Sequence, residues 1–217
     1  FESQTDLFQT LYKEEYNNLT NGFCILPGGK TPNSLYNLLS KKDDLKFIIS
    51  DDRLVNNNNV LSNFKNITDK LNINSEYPLS YFDEINLNGI DSLNSKLTQI
   101  KSYKTIDLCI LGLGEDSHTA SLFPNQKLNF GSEKPGFIIK NNGDDFKRFT
   151  LSYEFILSSN KIIFIVIGNN KSTALKNILT EKKNSKLYPA QEIINNHKNI
   201  EIYCDDSAAT QIKKLKK

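Results

Sequence analysis

Ile106-Asp107-Leu108-Cys109-Ile110-Leu111-Gly112-Leu113-Gly114-Glu115-Asp116-Ser117-His118 begins as a strand and ends as a turn that carries chemistry. Its first six residues are apolar except for Asp107, the pattern of a strand covered on both faces. Two glycines then hinge the chain, and one of only two histidines follows. A buried strand running into a polar turn fits an open α/β sheet. In such sheets the ligand site lies beyond the carboxyl ends of the strands.

The same grammar repeats on both sides of this stretch. Phe23–Pro27 is a short apolar run ending in Gly28-Gly29, and Leu35, Leu38 and Leu39 then fall on one helical face. Lys46–Ser50 is a second strand, ending in Asp51-Asp52. Residues 88–103 carry Ile90, Leu93, Leu97 and Ile100 at helical spacing. Lys161–Ile167 is another strand, with a helical stripe of Ala174, Leu175, Ile178 and Leu179 behind it. Ile200–Cys204 is the last strand, followed by an amphipathic tail over Ala208–Lys217. Strands alternating with helices predict an α/β sandwich with a mostly parallel sheet, in one domain over residues 1–217.

Composition removes several functional classes. The chain has 217 residues and Lys+Arg 27 against Asp+Glu 25, a formal charge of +2. That balance argues against a strongly basic nucleic-acid binder and against an acidic tail protein. No apolar run approaches the ~18 residues of a membrane span. The first residues do not read as a secretory signal. Cys24, Cys109 and Cys204 are far apart in apolar stretches, without metal-ligand spacing. They read as buried free thiols in a reducing, cytoplasmic setting.

Four polar clusters follow predicted strands and so share one rim: Gly28-Gly29-Lys30-Thr31, Asp51-Asp52-Arg53, Gly112–His118 and Gly168–Lys171. In the first, glycines allow close approach of a ligand, and N–H groups at the next helix start favour an anion. Gly29-Lys30-Thr31 is not the end of a phosphate-binding P-loop, because Cys24 stands where its first glycine belongs. Asp51-Asp52-Arg53 holds one of only two arginines, the other being Arg148. It reads either as a salt-bridge corner or as a charged wall whose guanidinium fork grips phosphate or carboxylate. His118 suits general acid–base work, with Asp116 or Glu115 placed to orient it. Lys171 at a helix start opposes the helix dipole, which makes sense if an anion sits there too. No serine-hydrolase elbow of the form Gly-x-Ser-x-Gly is present. His197 lies in a polar loop and reads as unremarkable in function.

Taken in order, these motifs resemble the 6-phosphogluconolactonase family. They are Gly28-Gly29-x-Thr31-Pro32, Asp51-x-Arg53, Gly112-x-Gly114-x-Asp116-x-His118-Thr119-Ala120-Ser121-Leu122-Phe123-Pro124, Arg148-x-Thr150-Leu151-Ser152, Gly168-x-x-Lys171-x-x-Ala174-Leu175 and Leu187-x-Pro189-Ala190. The resemblance runs from about Ile25 to Ala209, and the stretch from His118 to Pro124 is its most specific part.

The resemblance implies a three-layer α/β sandwich and hydrolysis of 6-phosphoglucono-1,5-lactone, with no metal or organic cofactor. The implied partner is a small sugar-phosphate lactone, with no nucleic acid and no membrane. It implies His118 as general base with Asp116 and Arg53 in the catalytic set. Gly28, Gly29, Lys30, Thr31, Asp51, Arg53, Arg148 and Lys171 would hold the substrate, with the phosphate near the glycine turn, Arg53 and Lys171. Three residues depart from the family pattern: Lys30 replaces Ser, Asp52 replaces Glu, and Ser117 replaces Gly before His118. Ser accepts positive φ less readily than Gly. Two other readings share these residues. One is an amino-sugar-phosphate deaminase–isomerase, disfavoured by Thr119, Ser121-Leu122-Phe123 and Arg53. The other is a non-catalytic sugar-phosphate sensor.

Overall fold

The structure is a computed structural model that describes residues 1–17, 19, 22–39, 45–56, 58–71, 89–103, 105–126 and 133–216. Its centre is a five-stranded, wholly parallel sheet built from β1 (Gly22–Leu26), β2 (Leu45–Ile49), β4 (Ile106–Gly112), β7 (Ser159–Val166) and β8 (Ile200–Cys204), in the order β2-β1-β4-β7-β8. The middle strands are covered on both sides: Ile110, Leu111, Ile163 and Phe164 are all fully buried. This is why they read as continuous apolar runs. Asp107 is the exception within β4. Its carboxylate accepts the backbone N–H of Phe23 at 3.0 Å, beside a register shift between β1 and β4.

A second, three-stranded antiparallel sheet was not foreseen from the sequence. It joins β3 (Asp51–Arg53), β6 (Arg148–Leu151) and β5 (Gly136–Ile139), in that order. It hangs from the end of β2 by a single residue, Ser50, whose backbone N–H reaches Leu26 O at 2.9 Å.

Among the described residues the helices are α1 (Gln4–Leu11), α2 (Asn33–Leu39), α3 (Asn63–Leu71), α4 (Ile90–Tyr103), α5 (Tyr153–Ile156), α6 (Ser172–Thr180), α7 (Pro189–Asn196) and α8 (Thr210–Lys213). A π-helical turn, Tyr12–Tyr16, extends α1. One group, α1, α2, α3 and the π turn, is in mutual contact, and a second group links α5, α6, α7 and α8. The crossover from β1 to β2 runs the opposite way along the sheet from that between β7 and β8, so the right-handed rule for parallel crossovers assigns α2 to one face and α6 and α7 to the other. The chain moves outward from β1 to β2, then returns to β4 on the other side of β1. A crevice therefore opens between the loops that follow β1 and β4, the topological switch point of the sheet.

Most expected elements are present within one or two residues. Residue 88, the first of one expected helix, and Lys217, the last of the tail, lie outside the described residues. Two expectations need correction. Leu179 does not belong to the buried stripe of α6: it is 44% exposed, while Ala174, Leu175 and Ile178 are buried. Cys204 is only half-buried, because β8 is an edge strand, whereas Cys24 and Cys109 are fully buried.

Candidate active site

A cleft of about 220 Å³ lies at the switch point. It gathers Gly28, Gly29 and Thr31 after β1, Ser50, Asp51 and Arg53 after β2, Gly112, Gly114 and His118 after β4, Arg148 from β6, and Lys171 after β7. Segments as far apart in sequence as Gly28 and Lys171 thus meet at one rim. Two expected site residues do not line it. Lys30 is exposed to solvent and is not among the residues that line the cleft. Asp116 is likewise not a lining residue, but it is hydrogen-bonded to His118, which is.

The turn after β4 is wound tightly around His118. Gly114 N–H donates to His118 O at 2.8 Å, and Ser117 N–H donates to Gly114 O at 3.0 Å. Thr119 Oγ1 ties the far side back to Gly112 O at 2.8 Å. Gly114 is required for space: a Cβ there would lie 2.1 Å from His118 Nδ1. Ser117 and Ala120 adopt φ values of 69° and 49°. Non-glycine residues in that region carry strain, and such strain gathers at functional sites. The buried Ser117 is held by its neighbours, since its carbonyl accepts the Ala190 N–H at 3.1 Å. The Leu187–Ala190 stretch thus underpins the histidine turn.

Asp116 Oδ1 lies 2.5 Å from His118 Nδ1 and also accepts the His118 backbone N–H at 3.1 Å. Partial burial pushes the Asp116 carboxyl up, but its bonds and charge interaction with His118 outweigh this and hold it below the ordinary value. An ionised Asp116 accepts a hydrogen bond from Nδ1–H and so holds the proton on Nδ1, which leaves the lone pair on Nε2. The His118 ring packs on Phe123, with ring centroids 4.6 Å apart. Glu115, the other candidate orienter, instead accepts from Asn170 Nδ2 at 2.6 Å and bridges to the loop after β7.

The acidic corner divides into three roles. Asp51 is buried on the cleft floor, its carboxylate accepting from Ser50 Oγ at 2.9 Å and Ser121 Oγ at 2.6 Å. Asp52 points away from the cleft and caps α3, accepting from Asn63 N–H at 2.6 Å, Phe64 N–H at 3.0 Å and Ser62 Oγ at 3.1 Å. Burial pushes Asp52 up to about 6, against the pull of the backbone N–H groups of Asn63, Phe64 and Arg53. Arg53 faces the cleft and donates to Asn63 Oδ1 at 2.5 Å. Among the described residues Arg53 has no ion-pair partner. Arg148 has one: its Nε donates to Asp144 Oδ2 at 2.7 Å, and its guanidinium lies over the rings of Phe146 and Phe123.

The glycine turn is anchored from below. Tyr36 of α2 donates to Pro27 O, Asn66 of α3 donates to Gly29 O at 2.8 Å, and Gln4 of α1 donates to Thr31 O at 3.2 Å. Lys171 sits at the N-terminus of α6 with no ion-pair partner among the described residues. Two unpaired cations and one partly neutralised cation therefore line the same cleft. Among the described residues, no group of three or more His, Cys, Asp or Glu side chains is placed to hold a metal ion. His197 bridges Ser159 O and Asn199 O between β7 and β8, a structural clamp far from this rim.

The family model for glucosamine-6-phosphate isomerases/6-phosphogluconolactonase matches residues 6–202. The chain belongs to that family. Among curated members, a 6-phosphogluconolactonase of Aggregatibacter actinomycetemcomitans is 28% identical over 197 residues, covering 85% of this chain and 84% of its own. The fold is shared with a solved 6-phosphogluconolactonase from Shewanella baltica OS155, with TM-score 0.81 and 21% identity over 94% of this chain and 95% of the other. It is shared equally with a monomeric glucosamine-6-phosphate deaminase, TM-score 0.81 and 17% identity over 97% of this chain and 98% of the other. The family's architecture therefore carries both chemistries, and the site must decide between them.

Proposed function

We propose that the chain hydrolyses 6-phosphoglucono-1,5-lactone to 6-phosphogluconate, with His118 as general base. The observation that carries this reading is the Asp116–His118 pair at 2.5 Å, at the edge of a cleft whose other walls present Arg53, Arg148 and Lys171. The cations and the glycine turn hold the remote phosphate. Its binding energy positions a lactone that is already a reactive ester. Asp116 keeps Nδ1 protonated, so Nε2 accepts a proton from water as the water oxygen bonds to the lactone carbonyl carbon. Collapse of the tetrahedral intermediate breaks the bond from that carbon to the ring oxygen. The imidazolium returns its proton to that oxygen, which becomes a hydroxyl, and the new acid ionises. Asp116 stabilises the imidazolium in between.

Names carried by family members support the lactonase assignment, as does the His118–Pro124 motif. The test is direct. The purified protein is given freshly made 6-phosphoglucono-1,5-lactone, with product read by coupling to 6-phosphogluconate dehydrogenase, and in parallel glucosamine 6-phosphate, with ammonia release read. Acceleration of the first above its spontaneous rate, without ammonia from the second, is the expected result. Ammonia release without lactone acceleration overturns the assignment.

A further inference from the structure

Asn63 is a residue that no motif in the sequence singles out, yet both ends of its side-chain amide are bonded in the cleft wall. It is 3% exposed. Its Nδ2 donates to Asp51 O at 2.7 Å, its Oδ1 accepts from Arg53 at 2.5 Å, and its backbone N–H donates to Asp52 at 2.6 Å. All three residues of β3 thus bond to this single asparagine. On its other side it presses against the glycine turn, where a Cβ on Gly28 would lie 2.0 Å from the Asn63 amide.

We infer that Asn63 is the positioning residue that sets Arg53 as an anion receptor, and that Gly28 lacks a side chain to make room for it. The chemistry favours an amide here. A guanidinium on a flexible stem loses rotamer entropy when a ligand orders it, and a preset one loses less. A carboxylate would also set it but would cancel its charge and repel an anion. The Asn63 amide oxygen accepts from the guanidinium without adding charge, and the amide's own direction is fixed because Nδ2 is already bonded to Asp51 O. The Arg53 Nε is buried without a hydrogen-bond partner, so the bond to Asn63 is the described anchor of that guanidinium. Gly28 therefore has a different role from the one its motif suggests: it accommodates the Arg53 anchor. This inference rests on the sugar-phosphate reading of the cleft.

The experiment is calorimetric titration of 6-phosphogluconate into wild type, Asn63→Ala, Arg53→Ala and the double variant, with thermal melts alongside. Asn63→Ala is expected to weaken binding about tenfold, and the double variant to bind within about twofold of Arg53→Ala alone, since a residue acting through Arg53 cannot add to its loss. Asn63→Asp keeps the size and the acceptor, and covers the case in which the alanine variant fails to fold. It is expected to bind at least as weakly as Asn63→Ala. A second cycle pairs Gly28→Ala with Asn63→Ala: the loss caused by Gly28→Ala should largely vanish once the Asn63 amide is gone. A lowered melting temperature with unchanged affinity, or multiplicative losses in the Asn63/Arg53 cycle, overturns the inference. Wild type that binds 6-phosphogluconate but does not hydrolyse the lactone overturns the proposed reaction and leaves Asn63 standing. Wild type that does not bind it overturns both.

Discussion

Arg53 and Arg148, the only arginines in the chain, stand directly opposite each other in the antiparallel pairing of β3 with β6. Both line the cleft. Like charges placed so are destabilising by themselves. Asp144 neutralises Arg148, while Arg53 is held by a neutral amide. The pair makes physical sense when an anion joins it. At a concentration near 100 times its Kd, 6-phosphogluconate should stabilise the fold by about 2.7 kcal/mol. That is roughly 5–10 °C in Tm for a chain of this size. Gluconate, which lacks the phosphate, should give no comparable shift at the same concentration, and Arg53→Ala should remove most of it. An equal shift by gluconate would move the anion site away from these arginines.

Gly114→Ala should cripple the site without unfolding the protein. The new methyl meets His118 Nδ1 and Asp116 Oδ1, so the pair must separate. Loss of the oriented base predicts kcat lower by about 10²-fold or more, with KM for the lactone changed far less. Steady-state kinetics with a thermal melt on the same sample check this, and wild-type kcat in the variant would contradict it.

Ser117→Gly should raise stability and leave turnover alone. Ser117 holds φ 69°, where a side chain costs energy and glycine does not. The expected gain is about 0.5–1 kcal/mol after the larger chain entropy of glycine is deducted. The fixed bonds of the turn, from Gly114 N–H to His118 O and from Ala190 N–H to Ser117 O, use backbone atoms that glycine retains. Melting and kinetics of the variant decide it. A large rise in turnover would mean that Ser117 holds the wild-type turn in an impaired geometry.

Asp52 gives a pH prediction. Its carboxyl is raised from 3.8 to about 6 by burial. In the window between these values the folded state binds a proton that the unfolded state does not. Its contribution to stability therefore grows as pH falls through about 6 toward 3.8, by up to about 1.4 kcal/mol per pH unit, and is constant well above 6. The difference in Tm between wild type and Asp52→Asn should shift in favour of wild type between pH 7.5 and pH 5, values chosen to bracket that window. A difference that is flat, or that shifts against wild type, would contradict the burial argument.

The parallel sheet was legible because its middle strands are buried on both faces and read as unbroken apolar runs. The rim of the site was legible for the same reason: each polar cluster begins where an apolar run stops. The second sheet was not. β3 is Asp51-Asp52-Arg53, three charged residues with no strand propensity, and it forms only because Arg148–Leu151 pairs with it from far along the chain. Asp52 looked like part of a charged site, yet it spends its oxygens on the N-terminus of α3, a contact with no local signal. Lys30 sits in the right turn but does not line the cleft. Asn63 carries no distinguishing mark, because it follows a run of asparagines and acts through Arg53 and Gly28, which are distant in sequence. Leu179 fell in step with the α6 stripe but lies in its last turn, past the edge of the core.

In the proposed reaction His118, oriented by Asp116, activates water against a lactone. Hydrolysis of freshly prepared 6-phosphoglucono-1,5-lactone, with the spontaneous rate subtracted, should be measured for wild type beside His118→Ala. A general base at His118 requires a fall in kcat of about 10²–10⁴-fold in the variant, while calorimetry shows its affinity for 6-phosphogluconate within about threefold of wild type, as expected if binding resides in the cations and the glycine turn. Turnover by His118→Ala equal to wild type would contradict it and place the base elsewhere in the cleft.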